Sequence, residues 1–156
     1  MEEAQKLPLG HVGRREAKDM ADGEYARCFQ QEALFLKKWK GPNKRLSLQE
    51  AANLAGWLCG GVGSRPIKEV RVPSEMSRFM GAYYLNRTIF VRPYGLSMIL
   101  IVHETTHHIC AMEGIHKGGS HGEGFLMVEQ MLFDWLNENR LAVGSLHVNP
   151  LSPSVT

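Results

Sequence analysis

The chain has little cysteine, no long apolar run and almost no charge imbalance, and each shortage removes a class of protein. Cys28, Cys59 and Cys110 are its 3 cysteines among 156 residues, an odd number with no C-x-x-C pair. That count excludes a disulfide framework and a four-cysteine zinc module, and it points to free thiols in a reducing compartment. The longest apolar run, Met98 to Val102, falls far short of the ~20 residues a membrane helix needs. The opening Met1-Glu2-Glu3-Ala4-Gln5-Lys6 is acidic and polar, with no basic segment leading into an apolar one, so the expectation is no secretory signal and a cytoplasmic location. A net charge of +2 is too small to be the electrostatic footprint of a dedicated nucleic-acid binder. What remains is an ordinary globular composition, 44% hydrophobic and 22% charged, which predicts a single domain over residues 1–156 with a sizeable core.

Apolar residues at Met20, Tyr25, Cys28, Phe29, Leu34, Leu36 and Trp39 predict a helix from Ala17 to Lys40 that is interrupted near Gly23 and broken by Gly41-Pro42-Asn43. Ser47-Leu48-Gln49-Glu50 is a capping box opening a second helix through Leu54, Trp57 and Leu58, and Gly60-Gly61 ends it. Ile67 to Val72 alternates apolar and charged residues as a half-buried strand does, and Tyr83 to Val91 supplies two strand-like runs around Asn86-Arg87. With two further helices described below, the class is α+β: N-terminal helices, a small sheet, then a helix, a loop and a second helix. Gly, Ser and Pro from 141 to 156 predict an extended tail. Basic residues gather in Lys37, Lys38, Lys40, Lys44 and Arg45 around Trp39. Such a cluster could contact phosphates or a base, but a solvated loop is the expectation.

The chemistry concentrates in His103-Glu104-Thr105-Thr106-His107. Residues four apart on a helix share a face, so His103 and His107 can reach one ion. Glu104 lies about 100° around the helix, where its carboxylate can reach a metal-bound water rather than the metal. Leu96 to Val102 and Ile109 to Met112 are mostly apolar, and imidazoles buried in such a helix are costly unless hydrogen-bonded or metal-bound.

A hydrolytic zinc site takes three protein ligands and leaves one position open. Gly114 to Gly124 is a glycine-rich segment that should stop the first helix and turn the chain back, with Ser120 able to cap a second helix through Phe125, Met131, Phe133 and Trp135. His121, where that helix begins, is the favoured third ligand. His116, Glu123 and Glu129 are the alternatives: His116 reads better as an exposed loop residue and Glu129 as a solvated helical glutamate. His108 points about 100° away from His107 and should pack or hydrogen-bond instead. Metzincin spacing is excluded, since it needs Gly in place of Cys110 and His in place of Glu113.

His103-Glu104-Thr105-Thr106-His107-His108 followed by His121-Gly122-Glu123-Gly124-Phe125 resembles the active-site signature of SprT-like (Spartan-type) zinc metalloproteases, which pair H-E-x-x-H with a downstream H-G-x-x-F. The resemblance covers roughly residues 67 to 136 and includes an apparent hairpin from Gly81 to Val91 ahead of the first histidine. It implies that His103, His107 and His121 bind Zn2+, that Glu104 is the catalytic base and that the substrate is a protein or peptide. The four-cysteine ribbon carried by many of these proteins is absent. A hairpin edge near the metal could hold an extended peptide by strand addition. Tyr83, Tyr84, Arg92 and Tyr94 are near enough in sequence to assist an oxyanion, and none is assigned. The rival expectations are a nucleic-acid-binding or structural zinc module, which needs a fourth protein ligand and no Glu104, and an interaction protein whose histidine-rich loop is incidental.

Overall fold

The computed structural model describes residues 24–73, 82–92 and 96–146, and its architecture is the α+β arrangement expected. Helix α1 (Glu24–Lys38) turns inward a stripe of Cys28, Phe35 and, just past its end, Trp39. Residues 17–23 of the expected first helix lie outside the described residues. Helix α2 (Leu48–Gly61) opens on the capping box: the Glu50 N–H donates to Ser47 Oγ at 3.0 Å and the Ser47 N–H to Glu50 Oε1 at 2.9 Å. Two orphan amides at the helix start are thereby satisfied.

Three short strands follow, β1 (Glu69–Arg71), β2 (Ala82–Leu85) and β3 (Thr88–Val91). Asn86 and Arg87 both take positive φ, 51° and 66°, the backbone that a two-residue hairpin needs to match strand twist. β3 pairs antiparallel with β2 and parallel with β1, so the order is β1-β3-β2 and β3 is central. Gly81, where the hairpin was expected to begin, lies outside the described residues.

Helix α3 (Met98–Glu113) packs against α2, β2, β3 and helix α4 (Glu123–Glu138). Ile101, Val102, Ile109 and Cys110 bury one side of α3, and Val128, Leu132, Phe133 and Leu136 bury the facing stripe of α4. α1 joins α4 through Phe35, whose ring stacks on Phe133 at 4.1 Å. The segment expected to be an extended tail begins as one helical turn, α5 (Arg140–Val143). Val143 and Leu146 are buried, and the Leu146 carbonyl accepts from Asn53 Nδ2 at 2.6 Å; apolar burial against α2 and α4 overrides the local Gly and Ser signal. No described helix is long and apolar enough to cross a membrane.

Candidate metal centre

α3 is held at both ends by its own sequence. Ser97 Oγ accepts from the Leu100 N–H at 3.3 Å, and Gly114 ends the helix in the left-handed conformation, returning its N–H to Cys110 O. The return loop is set by backbone approach. Gly118 has φ +84°, and a Cβ on Gly122 would sit 1.9 Å from Gly118 O. The Gly124 N–H donates to Lys117 O at 2.9 Å and closes the turn. Gly122, not Ser120, occupies the cap position of α4. Ser120 was expected there, but the tight Gly118–Gly122 turn leaves its Oγ 3.4 Å from His121 Nδ1 instead.

This loop brings His121 back over the α3 histidines. His121 Nε2 lies 3.2 Å from His103 Nε2 and 3.2 Å from His107 Nε2, and the three ligand atoms lie within 4.8 Å of one another. Phe125 backs all three imidazoles, its ring centre 4.8–5.1 Å from theirs, and the Tyr25 ring flanks His121 at 4.7 Å. Three imidazole nitrogens around one ion at ~2.0–2.1 Å in a tetrahedral arrangement are separated by about 3.3 Å. The observed 3.2 Å edges match that spacing, so these residues fit a metal ion.

The far nitrogen of His103 faces carboxyl groups. Its Nδ1 is 2.6 Å from Glu32 Oε2, 3.7 Å from Cys28 Sγ and 3.9 Å from Glu129 Oε2. Cys28 S–H donates to Glu32 Oε2 at 3.2 Å, and Gln31 Nε2 donates to Glu129 Oε1 at 2.9 Å. Burial alone would favour neutral His103, but the Glu32 carboxylate outweighs it and holds the imidazole pKa well above the ordinary histidine value. Burial likewise works against the charged Glu32, and the neighbouring His103 charge overcomes it and keeps the carboxylate ionised. Glu129 goes the other way, raised by burial and then by Glu32 beside it. His121 is lowered to about 3 by burial and the His103 charge, which keeps its ring neutral, with one nitrogen able to act as a ligand. Burial pushes the Cys28 thiol up to about 12, so it is a protonated donor at neutral pH.

Among the sequence candidates, His103, His107 and His121 come together and the others separate. Glu104 is buried on α3. His116 is exposed, and Glu123 is exposed and paired with Lys117 at 3.4 Å. His108 points to the sheet: its Nε2–H donates to Arg65 O at 2.7 Å, and Tyr84 O–H meets its Nδ1 at 2.9 Å. Tyr84 is thereby engaged, Tyr83 stacks on Phe90 at 4.8 Å, and Tyr94 lies outside the described residues. Glu129 corrects the expectation of a solvated glutamate, being fully buried in the α4 stripe. It approaches His103 at Nδ1, the side of the ring away from the three Nε2 atoms, and so is not placed to share an ion with them.

Sequence reasoning missed the contribution of α1. Tyr25, Cys28 and Glu32 are spaced three and four apart on one helical face, and polar members inside an otherwise apolar stripe were the available signal. It also read Trp39 as the aromatic of the basic cluster. The ring is buried and packs on Phe35 at 5.2 Å, with its Nε1–H donating to Pro42 O at 2.9 Å, so it offers no stacking face. Lys37, Lys38, Lys40, Lys44 and Arg45 are exposed, and Lys44 pairs with Glu50 at 2.7 Å. Burial also fixes Cys110 as a structural thiol, with its pKa pushed up to about 12. No protein-family model, curated protein or solved structure matches the chain.

Proposed function

We propose that the protein is a SprT-like zinc metallopeptidase, with His103, His107 and His121 holding Zn2+ and Glu104 acting as the catalytic base. The observation that carries the reading is the convergence of three imidazoles from an H-E-x-x-H helix and a returning loop, with His121 Nε2 3.2 Å from the Nε2 atoms of both His103 and His107. His103, His107 and His121 would hold Zn2+, which would supply polarisation of the carbonyl oxygen and a water acidic enough to attack near neutral pH.

The remaining work falls to the chain. Glu104 takes the proton of the attacking water and delivers it to the nitrogen of the leaving amine as the peptide bond breaks. Phe125 and Tyr25 wall the imidazoles with aromatic surface, which lowers the local dielectric and strengthens charge interactions during the reaction. β2, at the end of the β1-β3-β2 order among the described residues and packed on α3, would hold the substrate extended through main-chain hydrogen bonds.

A purely structural zinc module is less well supported, because it requires a fourth protein ligand. Among the described residues, Glu32, Glu129 and Cys28 lie on the Nδ1 side of His103, and no fourth His, Cys, Asp or Glu joins the three histidines. Glu104→Gln tests the proposal. It preserves shape while removing the base, so zinc content and melting temperature should match wild type while hydrolysis, including self-cleavage on prolonged incubation, falls by ~10²–10⁴. Undiminished proteolysis by this variant would sink the mechanism.

A further inference from the structure

A second cluster, Cys28, Glu32, His103 and Glu129, lies directly behind the three histidines and shares His103 with them. A carboxylate only accepts hydrogen bonds, so the 2.6 Å contact between Glu32 Oε2 and His103 Nδ1 requires the proton on Nδ1. With Nδ1 keeping its proton against Glu32, a cation binds His103 by taking the place of the other ring proton, at Nε2, the atom 3.2 Å from His121 Nε2.

Glu32 is itself held from behind. Cys28 S–H donates to the same Oε2 at 3.2 Å. The Glu129 carboxyl lies in the same buried cluster as Glu32, and its Oε2 stands 3.9 Å from His103 Nδ1. Gln31 Nε2 donates both to Glu129 Oε1 at 2.9 Å and to Leu126 O at 3.1 Å, fastening α1 to α4 beside the site.

We infer that Glu32, backed by Glu129 and Gln31, is a positioning residue that fixes His103 as a ligand through Nε2, making α1 an integral part of a centre for one divalent cation. The inference rests on the metal-binding part of the proposed function and not on peptide hydrolysis. A second cation among Cys28, Glu32, Glu129 and Nδ1 is the competing use of this cluster. Donors sharing a tetrahedral ion at ~2.0–2.1 Å stand about 3.3 Å apart, whereas Nδ1 and Oε2 are 2.6 Å apart, the distance of a charge-assisted hydrogen bond with a proton between them.

Cobalt(II) titration of the metal-free full chain tests this, with affinity read by chelator competition and folding by circular dichroism. Wild type should take up one equivalent without a thiolate-to-cobalt charge-transfer band. Glu32→Gln keeps an oxygen that accepts from Nδ1–H but loses the charge, and should weaken binding about 10-fold; Glu32→Ala loses both and should weaken it about 100-fold. A role in stability alone would lower the melting temperature and leave the affinity of folded protein unchanged. Should the alanine variant not fold, the near-isosteric Glu32→Gln decides alone, and wild-type affinity in it overturns the inference. A second equivalent bound with a thiolate band also overturns it, assigning Cys28 and the carboxyls to their own ion. Wild type that binds no cobalt overturns both this inference and the metal reading. Graded affinities without any peptide hydrolysis uphold the inference and remove the peptidase reading alone.

Discussion

Gly122→Ala should disable metal binding at the candidate centre without touching His103, His107 or His121. The Cβ it adds would lie 1.9 Å from Gly118 O, 2.1 Å from Gly118 C and 2.6 Å from Gly118 Cα. All three are backbone atoms, so no side-chain rotation relieves the clash. Bringing 1.9 Å out to the 3.0 Å below which such contacts do not occur takes a movement of about 1.1 Å, and the segment that must move carries His121. Ligand distances in a working metal site hold to about ±0.2 Å, so a displacement several times larger takes His121 Nε2 out of reach of an ion on His103 and His107. The loss should exceed the ~10–100-fold that removal of an outer-shell hydrogen bond costs and approach that of His121→Ala. Gly56→Ala is the control: nothing lies within 4 Å of its added Cβ, and removing a glycine from a helix interior should stabilise by about 0.5–1 kcal/mol. Zinc affinity by chelator competition, with circular dichroism for folding, reads all three variants. A Gly122→Ala protein that is folded and binds zinc as tightly as wild type would refute the claim that this turn delivers the third ligand.

Two further outcomes follow from the packing and the caps. Phe133, 1% exposed and stacked on Phe35, should cost about 3–5 kcal/mol on truncation to Ala, whereas Met131→Ala, at 46% exposure, should stay within about 0.5 kcal/mol; urea unfolding of both variants checks the contrast. Glu50 is held below its ordinary value of 4.5 by the Lys44 hydrogen bond and the Ser47 backbone. A depressed carboxylate stabilises fully above its unfolded pKa and loses that contribution as pH falls through the folded one, so the stability gap between wild type and Glu50→Gln should be constant above about 4.5 and close below it. A gap that persists unchanged in acid counts against the assignment.

The parts of this structure legible in the sequence are those whose cause is local. Ser47 and Glu50 are three residues apart, and their reciprocal bonds need nothing beyond one helical turn. Asn86-Arg87 between two strand-like runs marked a two-residue hairpin because the loop length restricts the turn type. His103 and His107 share a face by helix geometry alone. The parallel pairing of β1 with β3 was not legible, since β2 lies between them in the chain. Ser120 was misplaced as a cap for a related reason: residue preference favours serine there, but the contact between Gly118 and Gly122 fixes the turn and leaves the cap position to glycine.

The misreading of Glu129 has a physical lesson, because its signal was present. Phe125, Val128, Glu129, Leu132, Phe133 and Leu136 are all buried on α4, at the three-and-four spacing of a core-facing stripe, and a glutamate inside such a stripe cannot be solvated once the helix docks. Burial of a carboxyl is sustained only by a proton or by donors, and the donor to Glu129 comes from another element, Gln31 of α1. α1 carries the matching oddity, with Cys28 and Glu32 on the stripe that leads to Phe35 and Trp39. Each helix alone shows one misplaced acid; Phe35 stacked on Phe133 sets the two stripes face to face and brings both acids against the Nδ1 of His103. The polar network behind the three histidines is therefore written half in each helix, and only the docking of α1 on α4 makes it readable as part of the candidate site.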